Sequence, residues 1–156
     1  MLIICDRQSD NVQHRVIGPY YIIELPIYAA GVRHDPETGY VFRDPDVWLS
    51  DHMLGRMVGV PVLLHDPDSE TDVPEYPANL VGNVLSARVE DEKCIAEIRI
   101  FSQSFVDFLE SAEGATIEAE LVTVPAEDTE TEKDSDTITV EPPPRCVSFV
   151  TLRYWR

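Results

Sequence analysis

Positive charge is what this chain has least of. Twelve lysines and arginines stand against 29 aspartates and glutamates, a formal net charge of −17. Such a surface repels phosphate backbones, which argues against direct nucleic-acid binding, because that binding displaces counterions with basic patches. Long apolar runs are also missing. The longest are a few residues, far short of the roughly 20 needed for a membrane-spanning helix. Cysteines are three, Cys5, Cys94 and Cys146, far apart and without a CxxC pair. That argues against a disulfide framework and a zinc site and fits a reducing cytoplasm. His14, His34, His52 and His65 have no metal-ligand spacing, and no HExxH, phosphate-binding glycine loop or GxSxG elbow occurs. No metal or cofactor is expected. The opening MLIICDRQSD lacks the basic and long apolar regions of a secretory signal.

What remains is an ordinary globular composition, 44% hydrophobic and 26% charged. A length of 156 residues suits one domain, 1–156, with a real core. Two long loops are expected inside it. Residues 66–79 hold three prolines and several acids, and residues 125–141 concentrate carboxylates around a single lysine.

Between these loops the pattern is mostly strand. YYIIELPIYAAG, residues 20–31, is apolar and β-branched, with Pro26 marking a bulge or an edge. HDPETGY carries turn chemistry. Asp44 can cap a helix with Pro45 at its first position, ending at Gly55 or Gly59. VPVLLH reads as a short buried strand, and LVGNVLSARV, EDEK and CIAEIRIF as strand, turn, strand. In the last of these Cys94, Ala96, Ile98 and Ile100 share one face. Ser102 or Ser104 caps a helix that buries Phe105, Phe108 and Leu109, with Gly114 as its stop. ATIEAELVTV alternates, and TITV and CVSFVTLRYW are the final strands. About seven strands and two or more peripheral helices make a β-rich α+β domain, a small closed or partly open barrel.

Few residues carry chemistry. His65 sits where a buried strand becomes a loop, and a neutral imidazole there can take a proton from a hydroxyl or thiol. Its commoner role is a strand-end histidine satisfied by loop backbone. Asp66 follows it, but adjacent strand residues point to opposite faces, so Asp66 is not expected to orient it. Thr116 opens a strand and could be a nucleophile beside a base, though threonine is mostly a good strand former. Cys146 follows Arg145, whose charge favours a thiolate; simple burial is the commoner role. Glu118 and Glu120 share a strand face, and a solvated sheet face is the ordinary reading for them.

The order of segments adds to this. VGVPVLLHD, then VGNVLSARVEDEKCIAEIRIF, the helix SQSFVDFLESAEG, ATIEAEL and finally CVSFVTL together resemble the prohead maturation proteases of tailed phages, which share the barrel fold of the herpesvirus assemblins. The resemblance runs from about Tyr20 to Leu152 and rests on pattern and order, with few identities. It implies a general base at His65, in the segment matching the family's His-Asp. It puts Thr116 in the place of the nucleophilic serine, Glu118 in that of a following glycine, and Cys146 in that of an orienting acid. Each replacement weakens the implied chemistry. Threonine stiffens the side chain, and an error of about 1 Å costs on the order of a hundredfold in rate. Glu118 has the wrong sign beside a developing oxyanion, and a missing acid leaves the imidazole less supported. Cys146, expected beside His65 in this fold, is a substitute nucleophile of lower rank.

The resemblance therefore implies a head-morphogenesis protein in the host cytoplasm, within or on assembling phage heads. It would be weakly active or inactive and act by binding a capsid or scaffold protein, with a homodimer possible. Any scaffold is expected as a separate chain, since no charged helical segment follows Arg156. An active endopeptidase cleaving scaffold and capsid precursors is the alternative, and an unrelated acidic β-barrel binding module is the third.

Overall fold

A computed structural model describes residues 2–6, 13–17, 20–36, 39–65, 79–111, 116–124 and 138–155. Strands β1 (Leu2–Asp6), β2 (Gln13–Ile17) and β3 (Tyr20–Ala29) come first, then the hairpin β4 (Gly31–Asp35) and β5 (Gly39–Arg43). Two short helices follow, α1 (Pro45–Trp48) and α2 (Asp51–Gly55), leading to β6 (Pro61–Leu64). The long hairpin β7 (Leu80–Glu90) and β8 (Lys93–Ile100) precedes α3 (Gln103–Ser111), and β9 (Thr116–Val124), β10 (Thr139–Val140) and β11 (Cys146–Trp155) complete the chain.

Eight strands form one sheet in the order β1-β9-β11-β6-β7-β8-β3-β2. Strand β3 also lies against β1 and β9, so the sheet curls on itself into a partly open barrel. Its pairs are antiparallel except β6 with β11, which run parallel. A second sheet, β10-β5-β4, stands beside it. The β-rich α+β barrel expected from sequence is the observed architecture. It has eleven described strands rather than about seven, because β1, β2 and the hairpin of β4 and β5 add to the expected set.

The local chemistry explains the elements. Cys94, Ala96, Ile98 and Ile100 all point into the core, as their alternation requires. Asp91 and Glu92, at φ 50° and 60°, make the two-residue left-handed turn that joins β7 to β8. Pro26 coincides with a register shift between Pro26 and Tyr28 where β3 meets β8, the bulge its missing N–H predicts. Asp44 caps α1 by accepting from the Asp46 N–H at 3.0 Å. The single expected helix is two, because Ser50 interrupts it: its hydroxyl donates to the Val47 carbonyl at 2.8 Å and accepts from the Met53 N–H at 3.2 Å. Ser102, of the two candidates, is the residue whose hydroxyl accepts from α3, from the Phe105 N–H. Phe105 and Leu109 are buried and Phe108 packs against the core from its margin. Gly114 and most of the two expected loops, 66–79 and 125–141, lie outside the described residues, and the end of the second carries β10.

A buried cluster around Trp48 joins the two sheets. Tyr28 Oη of β3 donates to the Trp48 carbonyl at 2.5 Å, and the rings meet edge-on at 5.7 Å. Arg43 of β5 lies over the indole at 4.9 Å, donates to Glu141 Oε2 at 2.8 Å and reaches the Ala29 carbonyl at 3.1 Å. Trp48 Nε1 closes the set by donating to the Glu141 carbonyl at 3.0 Å. Each buried polar atom named here has a partner, so the cluster avoids the desolvation cost of an orphaned group.

Gly82 explains the Val-Gly that opens β7. A Cβ there would sit 2.1 Å from the Arg99 carbonyl oxygen, so only glycine lets β7 and β8 approach. Gly55 has nothing within 4 Å of its missing Cβ and lies in α2. Urea titration should therefore find Gly82→Ala destabilised by about 3 kcal/mol or unfolded, and Gly55→Ala stabilised by about 0.5–1 kcal/mol. Equal effects would refute the packing given for Gly82.

Burial pushes the Cys94 thiol up to about 12, opposed by its hydrogen bond with Tyr28. A thiol held neutral in the fold ionises first in the unfolded chain, so stability is full below about pH 9 and declines as pH rises toward 12. The urea midpoint of the native chain should fall more steeply from pH 8 to 9.8 than that of Cys94→Ala. Parallel slopes would remove the thiol as the source.

Candidate functional site

His65 is delivered by β6. Val62 is a core residue and Leu64 packs against the core, while Leu63 is buried on the opposite face. Alternation therefore turns His65 to the Leu63 side, away from the barrel interior. Its backbone continues the parallel ladder: the His65 N–H donates to the Leu152 carbonyl at 2.8 Å, one step past the Leu64–Leu152 pair. That step sets His65 level with Arg153 of β11, and Arg153 is in register with Glu118 of β9.

The result is a row across three strands, His65, Arg153 and Glu118. A second row lies one repeat below, Leu63, Thr151 and Glu120. Arg153 ties the rows together, its Nε 3.3 Å from Glu120 Oε1. Glu118 and Glu120, read from sequence as a solvated face, are buried, as are Thr151 and His65. Ile117, Ala119 and Leu121 do face the core, so the alternation was right and the surroundings of the opposite face were not. This side of the sheet is covered, and it holds two carboxylates with one guanidinium between them.

The remaining candidates are placed by register. Thr116 pairs with Trp155, two residues beyond the row of Arg153 and Glu118. Two strand spacings and two residues of rise separate its backbone from that of His65, about 12 Å on a flat sheet. Glu118, in the His65 row, is nearer, at about 10 Å. Cys146 is exposed and pairs with Val124, seven residues along β11 from Arg153. That is about 20 Å from the His65 row, so the register does not bring Cys146 beside the imidazole as expected. Segment order had equated the start of the last strand with the acid place, but the strand runs past His65 only near its far end. Asp66 lies outside the described residues.

Arg153 and Thr151 were not singled out from sequence. The signal was present: in VTLRYW, Thr151 and Arg153 alternate with the core residues Val150 and Leu152. Only the register shows that this alternation faces Glu118 and Glu120. A cavity of about 320 Å³ opens beside the strand end, between β6, the start of β7 and α3. Leu64, Leu80, Phe105 and Phe108 line it, with Asn79 and Ser102 at its polar side. Among the described residues no cluster of three or more His, Cys, Asp or Glu is arranged to hold a metal ion. No helix there is long and apolar enough to cross a membrane.

This fold is similar to the solved structure of the bacteriophage T4 capsid assembly protease, gp21. The likeness has a TM-score of 0.57 and covers 99% of this chain and 97% of that one, at 9% sequence identity. No protein-family model matches the sequence, and no curated protein matches it. At that identity the likeness establishes the barrel and its strand connections, not the chemistry.

Removing the guanidinium tests the charge arrangement. Arg153→Met should destabilise the chain by about 2–4 kcal/mol at pH 7, because the buried Glu120 loses its cation. Adding Glu120→Gln should restore most of that loss. A single variant within 0.5 kcal/mol of the native chain in urea titration would show the pair to be a solvated surface contact.

Proposed function

We propose that this chain is a phage head-morphogenesis protein on the maturation-protease fold, working by binding capsid or scaffold protein rather than by cutting it. The observation that carries the proposal is the fold likeness to a capsid assembly protease over almost the whole of both chains. Within that fold, three features favour binding over cleavage. His65 is only 5% exposed, so no substrate carbonyl reaches the imidazole in this arrangement. Glu118 sets a carboxylate in the row where a developing oxyanion would need donors. Arg153, not an acid, stands next to His65 on the neighbouring strand, and a cation there opposes the imidazolium that general-base catalysis creates. The protein would then act in the host cytoplasm, within or on assembling heads, as a monomer or a homodimer.

A second reading keeps the peptidase. His65 stands where β6 gives way to a connection, an ordinary place for a general base. In that reading His65 takes the proton from Thr116, and the product is a trimmed scaffold or capsid precursor.

Intact-mass spectrometry of the chain, incubated alone and with the capsid precursor of its own phage, separates the two. The expected result is no new fragment, identical behaviour of His65→Ala, and co-sedimentation with the assembling shell. Defined fragments that vanish in His65→Ala would establish the peptidase instead. Thr116→Ala and Cys146→Ala would then identify the nucleophile.

A further inference from the structure

The second sheet presents a face that nothing among the described residues covers. Register puts Val140, Phe42 and Val32 in one row across β10, β5 and β4. Tyr40 and His34 form the next row, their rings edge-on at 5.2 Å, with Ile138 preceding β10 on the same side. The alternate residues Val41 and Arg43 are buried toward the Trp48 cluster, so this set is the outward one. It is apolar yet open: Val32 is 58% exposed, Tyr40 59%, Ile138 51% and Val140 61%. The accessible patch amounts to about 500 Å², in the range where an exposed apolar surface marks an interaction site.

One end of this face is acidic. The Ala30 N–H, just before β4, donates to the Glu92 carbonyl at 2.9 Å, which holds the exposed turn residues Asp91 and Glu92 against the Gly31 corner. Asp46, also exposed, follows the end of β5 at the same corner, since Gly31 pairs with Arg43.

We infer that the outer face of β10-β5-β4 docks a positively charged amphipathic helix of another protein. Three considerations select that occupant. A second copy would bring another net charge of −17 onto a patch smaller than the roughly 800 Å² per partner of a stable pair. A strand added to the free edge of β4 would lengthen the sheet and leave Phe42, Tyr40 and Val140 open. A helix about 10 Å across matches the two strand spacings between β10 and β4, and it can lay apolar residues on the face with basic ones at the acidic corner. This surface lies on a different sheet from the His65 row and does not depend on whether the chain cleaves anything.

Fluorescence anisotropy with the full chain tests it. The probe is a labelled leucine–lysine peptide of about 18 residues with leucines at helical i, i+3, i+4, i+7 spacing. Micromolar binding is expected, weakened about tenfold or more by Val32→Asp/Val140→Asp and by replacing every peptide lysine with glutamate. Tyr40→Glu, on an equally exposed position, should weaken it similarly and serves if the double variant does not fold. Equal binding by native chain and folded variants would overturn the inference, since attraction would then be charge alone. Tighter binding of an alternating valine–lysine peptide would overturn it in favour of an edge strand. A native dimer in sedimentation, dissociated by Val32→Asp/Val140→Asp, would make the occupant a second copy.

Discussion

The backbone bond from the His65 N–H to the Leu152 carbonyl is the constraint on which the site depends. It extends the parallel pair of β6 with β11, and these strands are separated in the chain by a hairpin, a helix, β9 and β10. Parallel neighbours cannot be joined by a tight turn, so this contact closes a long loop and carries its entropy cost. Once it is made, every residue on three strands acquires a fixed level. His65 falls beside Arg153, and Arg153 beside Glu118. A slip of one residue would turn Val150 and Leu152 out of the core, so burial on the inner face enforces the arrangement on the outer one.

That outer face is costly to build. Bringing Glu118 and Glu120 out of water beside the half-buried Arg153 carries a desolvation penalty that their attraction to it repays only in good geometry. Apolar residues of similar size would hold the sheet as well. The arrangement is therefore poorly explained as a device for stability, and better as a site whose charges serve another end. Two carboxylates around one guanidinium give the face a negative balance, in keeping with the acidic balance of the whole chain. The apolar outer face of the second sheet, with its acidic corner, has the same preference by a separate route.

The sequence was most legible where structure is local. The alternation of Cys94 to Ile100, the turn at Asp91 and Glu92, the cap at Asp44 and the bulge near Pro26 each follow from a few adjacent residues, and each is where it was expected. Legibility fell where a neighbour far along the chain decides. Ser50 is the local exception: its hydroxyl serves the backbone groups of Val47 and Met53 at once and divides a helix whose spacing ran through it. The second sheet needs β10 to pair in parallel with β5, nearly a hundred residues earlier, and no local pattern announces that. Glu118 and Glu120 look solvated on a strand viewed alone; Arg153 and a covered face make them buried. Cys146 was aligned by the beginning of its strand, whereas the level of His65 is set near the strand's end.

The same distinction explains how a fold can persist at 9% identity. A barrel core asks each position only for an apolar residue of tolerable volume on the correct side, and many sequences meet that demand. Catalysis asks far more, because a shift of about 1 Å or one charge of the wrong sign costs orders of magnitude in rate while leaving the sheet intact. A carboxylate at 118 and a guanidinium at 153 are compatible with the register, and beside a reacting carbonyl such charges would oppose those that develop in acyl transfer. Positions of that kind can vary in any fold that is not asked to catalyse, while core residues remain bound by packing. Persistence of a fold is therefore explained by packing, and the chemistry of a site has to be argued from the site itself.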